Sequence, residues 1–212
     1  MIDSQKIDYS KLETLNVSRE TFLELDEFKE MILFENKKIN LISQNTEEIA
    51  RNRHIIDCAQ IVDLIDENHL SCTDLGSGSG LPGLVLAIIK KKQKSDMRFF
   101  LYEKSFKKSN FLKKVINKFK LNAEVINQNI FDQKNLNSDL IVARAFKPLP
   151  IILDLVTSNF VDFKDIILFL GKSGKSSIEQ CLKKWNLEFI EKKSVTEKDS
   201  ILIKINKFGK KK

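Results

Sequence analysis

The sequence predicts an α/β fold: an open, mostly parallel sheet with helices on both faces and a helical cap at its N-terminus. Three observations predict it. From Ser71 onward, short β-branched or aromatic runs alternate with longer helical patterns, the sequence form of repeated strand–helix–strand units. The first of those runs opens into a glycine-rich turn, Gly76–Gly80, and then an apolar helix. Before it, two segments carry apolar residues at helical spacing with no strand between them. At 212 residues the chain suits one core domain with an appendage. The expected division is a cap over 1–68, a core over 69–207 and a basic tail over 208–212.

In chain order, residues 1–17 show no periodicity and read as a short, loosely held lead. Ser18 suits an N-cap, and Phe22, Leu25, Phe28 and Ile32 recur on one face of a helix running to about Lys38. Asn45, with Glu48 three residues on, reads as a capping box opening a second helix. That helix carries Ile55, Cys58, Val62 and Ile65 on one side. Strands are expected at Cys72–Leu75, Arg98–Tyr102, Glu124–Asn127, Leu140–Ala143 and Ile166–Leu170. Helices between them are expected at Leu81–Lys91, Phe106–Lys120, Leu149–Phe160 and Ser176–Trp185. Leu187–Ile190 and the alternating Ile201, Ile203 and Ile205 read as two closing strands.

The stretch TDLGSGSGLPG, Thr73–Gly83, is the most informative in the chain. Its glycines let the backbone take positive φ and let a ligand approach where a Cβ would stand. Pro82 suits a first helical turn, where its missing N–H would be unpaired anyway. A dinucleotide fingerprint needs a third glycine at position 81, which is Leu81. Asp74 followed by Gly76, Gly78 and Gly80 instead resembles the S-adenosylmethionine (SAM) loop of class I methyltransferases, which are Rossmann-like folds. The chemistry agrees: an acid near the turn favours the SAM ammonium, and loop N–H groups suit its carboxylate.

Ligands of open α/β sheets bind at the carboxyl ends of the strands. Besides Gly76, Gly78 and Leu81, that rule selects Glu103, whose carboxylate can accept from both ribose hydroxyls. It also selects Ile130 and Phe131, an apolar wall for adenine, and Arg144, which follows the apolar run ending at Ala143. A guanidinium there suits the SAM carboxylate as a bidentate fork, or the O6 of a guanine. Arg144 is thus a cofactor residue and the one expected to position the reactants.

Composition bounds the partners. No apolar run approaches the ~18 residues of a membrane span, and the N-terminal stretch lacks the layout of a signal peptide. Three scattered cysteines and two histidines give no zinc pattern, so no metal is expected, and the chain reads as cytoplasmic and monomeric. The net charge of +7 gathers at Lys90–Lys94, Lys104–Lys114, Lys172–Lys184 and Lys210–Lys212, which leaves nucleic acid and plain solvated surface both open. GKSGKSS at Gly171–Ser177 mimics a phosphate loop, but the spacing puts Phe169 or Ile167 where its first glycine belongs. It reads as a basic loop.

Missing motifs narrow the methyl acceptor. Exocyclic-amine methylation calls for an [ND]-P-P-[FY] segment after the fourth strand, where this chain has Ala143–Phe146. Pyrimidine C5 methylation needs a cysteine nucleophile, and none follows the third or fourth strand. An acceptor with a free lone pair, such as guanine N7, needs neither proton removal nor covalent activation. No general base is then expected, and the protein contributes alignment and water exclusion.

INLISQ at Ile39–Gln44, RHIIDC at Arg53–Cys58, DLGSGSGLPGLVLAI at Asp74–Ile88 and ARAF at Ala143–Phe146 resemble, in order and spacing, the bacterial RsmG (GidB) family. The resemblance extends from about Phe22 to Ile205 and implies transfer of a methyl group from SAM to N7 of guanine 527 in 16S rRNA. It places Gly76, Leu81, Ile130, Phe131 and Arg144 on the family's SAM positions. Asn40, Arg53, His54 and Asp57 fall on its N-terminal signature, where His54 is expected to support the loop through hydrogen bonds. Departures are Glu35 where the family has Trp, Phe131 where an acid is common, and Leu170–Lys172 where it tends to show Lys-Gly. Methylation of another RNA or of a small molecule by the same fold is the alternative.

Overall fold

The computed structural model describes residues 17–211, so the expected lead lies outside the described residues except for Val17. Helix α1 spans Arg19–Asn36, and the Ser18 hydroxyl accepts from the Thr21 N–H as expected of an N-cap. The second cap helix departs from expectation. It is wound as a π-helix over Arg51–Ile56, continues as a single α turn, α2 (Asp57–Ala59), and ends in a 3-10 turn at Val62–Leu64. No box forms between Asn45 and Glu48, because a separate 3-10 turn takes Gln44–Thr46. The neighbouring Glu47 accepts instead from Asn36, at 2.6 Å. Ile55, Cys58, Val62 and Ile65 are nonetheless all buried.

The core follows as β1 (Ser71–Leu75), α3 (Gly83–Lys92), β2 (Arg98–Tyr102), α4 (Phe106–Phe119), β3 (Ala123–Ile126) and β4 (Leu136–Arg144). Then come α5 (Leu149–Asn159), β5 (Phe160–Leu170), α6 (Gly174–Leu182), β6 (Trp185–Lys193) and β7 (Ile201–Lys210). The strands form one sheet of order β3-β2-β1-β4-β5-β7-β6; β1 to β5 are parallel, and β7 runs antiparallel to both β5 and β6. Trp185 pairs with Lys210, so Phe208–Lys210 belong to the sheet rather than to a tail.

Period-two alternation splits the strands between two cores. Leu140, Val142 and Ile167 pack with α1, α3, α4 and the rest of the cap. Ile141, Ala143, Ile166 and Leu168 face the other way, against α5 and α6. Near-continuous apolar runs such as LIVA in β4 are what a sheet covered on both faces requires. The cap is therefore part of one face of the core. Its helix α1 is fastened further by Glu24 to Lys92 and Glu27 to Lys118, both at 2.7 Å.

The order places β1 between β2 and β4, and that neighbourhood positions the site. After β1 the chain turns to the cap face and α3; after β4 it turns to the opposite face and α5. Adjacent parallel strands whose following loops diverge leave a crevice beyond their carboxyl ends.

Candidate active site

A cavity of about 530 Å³ occupies that crevice. Gly76, Gly78, Leu81, Glu103 and Arg144, all selected from the sequence, line it. The cap supplies another wall with Leu41, Ile42, Thr46, Arg53, His54 and Asp57, and Ser194 and Ser200 approach from the β6–β7 loop.

The glycine turn has the conformation its sequence implies. Gly76, Gly78 and Gly80 have φ of +69°, +56° and +88°. A Cβ on Gly76 would stand 2.3 Å from Cδ2 of Phe146. The turn is fixed to the end of β2: Ser77 N–H donates to the Tyr102 carbonyl at 2.9 Å, and Gly78 N–H donates to Glu103 Oε2, also at 2.9 Å. Glu103 Oε1 accepts from Ser105 N–H at 2.7 Å. Glu103 thus braces the turn, and each of its oxygens keeps a further lone pair for a ligand hydroxyl.

Asp74 lies elsewhere than the ammonium expectation put it. Strand alternation turns its side chain to the cap face, under the start of α3, where it is 1% exposed and off the cavity wall. Its Oδ2 accepts from Gly83 N–H at 3.1 Å, and a Cβ on Gly83 would stand 2.6 Å from that oxygen. Oδ1 is buried without a hydrogen bond. Burial pushes the carboxyl up to about 7. The motif's acid therefore anchors the helix to the strand.

Arg144 is held by the cap. Its Nε donates to Asp57 Oδ2 at 3.0 Å, NH2 to the Arg53 carbonyl at 2.8 Å, and NH1 and NH2 both approach His54 Nδ1 at 3.3 Å. With five N–H groups on the fork, Arg144 has at most two left for a ligand. His54 Nδ1 faces a cation and must accept, so Nε2 carries the proton and donates to Thr46 Oγ1 at 2.9 Å. Burial, then the charges of Arg144 and Arg53, lower His54 to about 4. The expected support of the glycine turn by His54 is replaced by support of Arg144.

Asp57 joins three parts of the chain. Its Oδ2 takes Arg144, while Oδ1 accepts from Gln60 Nε2 (2.8 Å), Ser194 Oγ (3.3 Å) and Thr196 Oγ1 (2.5 Å). Cap, β4 and the β6–β7 loop meet at this carboxylate. Sequence reading had Asp57 only through a signature and missed Ser194 and Thr196, which lie 137 and 139 residues away with no local signal.

Ile130 and Phe131 do not line the cavity. Asn159 Nδ2 pins their turn by donating to the carbonyls of Ile130 and Phe131 at 3.0 and 3.2 Å. Ile130 is buried in the second core, and Phe131 stacks on Phe146 with centroids 6.0 Å apart. Away from the cavity, Asp66, His69 and Asp165 bring potential metal ligands within 4.8 Å of one another. Lys204 Nζ lies 2.8 Å from Asp66 and 3.0 Å from Asp165, so an ammonium already sits between the two carboxylates.

Asp74 and His54 have opposite effects on stability. An acid raised by folding costs stability as pH climbs from its unfolded value, about 3.8, to about 7. A histidine lowered by folding costs stability as pH falls from about 6.5 to about 4. Asp74→Asn is therefore expected to gain stability relative to wild type as pH rises from about 4 to 7, with no further change above. Thermal melts of both proteins across that window check it; a constant difference would contradict the sealed carboxyl.

Comparison with known proteins gives a consistent set. The profile of the rRNA small subunit methyltransferase G family, GidB, matches residues 22–203. A Pelagibacter ubique (strain HTCC1062) protein named ribosomal RNA small subunit methyltransferase G is 49% identical over 206 residues, covering 96% of this chain and 97% of its own. One of the same name from Ruegeria pomeroyi is 33% identical over 192 residues, covering 91% and 94%. Among solved structures, ribosomal protein L11 methylase from Lactobacillus delbrueckii subsp. bulgaricus has a TM-score of 0.53 at 17% identity, covering 76% of this chain and 80% of that one. M. capricolum TrmK, solved with S-adenosyl-homocysteine, has a TM-score of 0.51 at 18% identity, covering 79% and 70%. These two likenesses concern the class I methyltransferase fold.

Proposed function

The chain belongs to the rRNA small subunit methyltransferase G (GidB) family, and from that premise we propose that it transfers a methyl group from SAM to N7 of guanine 527 in 16S rRNA. One observation carries the site assignment. The crevice beyond β1 and β4 is bounded by a positive-φ glycine turn whose close approach to Phe146 leaves no room for a Cβ at Gly76. That cradle fits the amino-acid end of SAM, with Gly76, Gly78 and Leu81 along it. Glu103, fixed at the end of β2, takes the ribose hydroxyls, and the adenine extends toward the β3–β4 turn, where Ile130 and Phe131 stand.

When bound, SAM supplies an electrophilic methyl on a sulfonium, open to in-line attack by a lone pair. The chain's own residues align the partners and keep water out. Arg144, gripped by Asp57, His54 and the Arg53 carbonyl, is a positioned cation whose spare N–H groups orient the acceptor. N7 has no proton to lose, which agrees with the states of Asp74 and His54: the first is sealed under α3, and the second is committed to Arg144 and Thr46. Transfer to a lone pair needs no Lewis acid, so the reading calls for no metal, and it takes the chain to act as a monomer in the cytoplasm.

Incubation with methyl-labelled SAM and small-subunit rRNA, followed by digestion to nucleosides, tests the reading. Label in 7-methylguanosine at one site is the expected result. Label on an exocyclic amine, or on a small molecule but never on RNA, would overturn it.

A further inference from the structure

We infer that Phe106 is a stacking platform for an unpaired base of the RNA beside the nucleotide that enters the cavity, with Lys104, Lys107 and Lys108 holding the adjoining phosphates. The inference rests on the rRNA reading above and names the surface that such a substrate would meet. Phe106 is 68% exposed, more than any other large hydrophobic side chain among the described residues. Folding gives no reason for it. The buried face of α4 is Phe111, Leu112, Val115 and Phe119. At about 3.6 residues per turn, Phe106 lies half a turn away from Val115, on the solvent side. A polar residue would serve the helix as well.

Its surroundings point to the partner. Lys104 and Lys107 are exposed, and Lys108 lines the cavity three residues after Glu103's neighbour Ser105. Among the described residues none of the three pairs with a carboxylate, whereas farther along the same helix Lys114 and Lys118 meet Glu35 and Glu27. In the sheet, Lys164 of β5 pairs with Asp139, and Lys204 of β7 with Asp66 and Asp165. Three unpaired lysines thus stand at the cavity edge, around a bare aromatic ring. Sequence-selective proteins read RNA mainly through unpaired bases stacked on aromatic side chains, while cations track the phosphates. A protein partner would leave the lysines unexplained; a single strand of RNA uses both features.

Titration with an rRNA fragment that presents the target guanine in a loop tests this, beside calorimetry with SAM. Phe106→Ala and Phe106→Leu should each weaken RNA binding about ten-fold, and Phe106→Trp should restore it. SAM affinity and melting temperature should stay at wild-type values in all three. Lys104→Ala and Lys107→Ala should each lower the salt dependence of binding by roughly one phosphate contact. Leu binding as well as Phe, or Ala as well as either, would overturn the platform while leaving the methyltransferase reading intact. A wild-type protein that transfers label to no rRNA would overturn both.

Discussion

Gly76→Asp should abolish SAM binding by at least ~100-fold, equivalent to about 2.7 kcal/mol, while the protein remains folded. Gly76 has φ of +69°, and a Cβ there would stand 2.3 and 2.6 Å from two atoms of the Phe146 ring. The ring or the turn must move. Phe146 is stacked on Phe131, so moving it also disturbs the β3–β4 turn. Movement of the turn breaks its tie to Glu103 through Gly78 N–H. The new carboxylate adds like-charge repulsion where the SAM carboxylate belongs. Calorimetric titration beside a thermal melt separates the effects: lost heat with an intact cooperative transition places the defect at the site. Undiminished binding would remove the glycine turn from the cofactor's path.

Arg144→Ala should cost both stability and transfer. Asp57 has a side chain only 5% exposed, and Arg144 Nε is its close cationic donor, with Arg53 NH1 farther off at 3.9 Å. Breaking a buried pair by removing one partner costs about 3 kcal/mol or more, because the remaining charge stays buried. For a chain of this size that lowers the melting temperature by roughly 6–12 °C. His54 Nδ1 loses its donors in the same change, and the cap, β4 and the β6–β7 loop lose part of the junction at Asp57. Arg144→Lys retains the charge but replaces a fork with a single ammonium, so it should recover stability better than activity. Melting curves and single-turnover methyl transfer on the three proteins check this. An Ala variant as stable as wild type would show that the Asp57 junction does not hold the cap.

The elements that were legible in the sequence are those governed by short-range rules. Period-two and period-3.6 patterns located every core strand and helix, and Ser18 announced α1 as its cap, but β5 starts six residues before the expected Ile166 and β7 runs five beyond Ile205. Distant partners hid the rest. β4 begins at Leu136, four residues before the apolar run, because Leu136, Asn137 and Ser138 pair with Phe160, Asp162 and Phe163 of β5. A polar stretch such as Asn137–Asp139 gives no local sign of that pairing. The expected capping box failed for the same reason. Asn36 fixes the segment after α1 by accepting from Leu41 and Ile42 N–H and donating to Glu47, so the cap turn forms where those bonds place it.

The site divides along the same line. Its near wall follows from topology: Gly76, Gly78, Leu81, Glu103 and Arg144 stand at strand ends, where ligands of such sheets bind. Its far wall comes from the cap and the β6–β7 loop. Ser194 and Thr196 are ordinary loop residues until the fold brings them to Asp57. Asp74 shows how a motif can be located correctly and its acid assigned wrongly: spacing marks the turn, but only strand alternation tells which face the carboxylate takes.

A crystal structure of the protein grown with S-adenosyl-homocysteine tests the central assignment most directly. The homocysteine end should lie along Gly76–Gly80, with both ribose hydroxyls within hydrogen-bonding distance of Glu103 and the sulfur facing the Arg144 side of the cavity. A nucleoside seated elsewhere on the sheet, or a glycine turn left bare at saturating ligand, would contradict it.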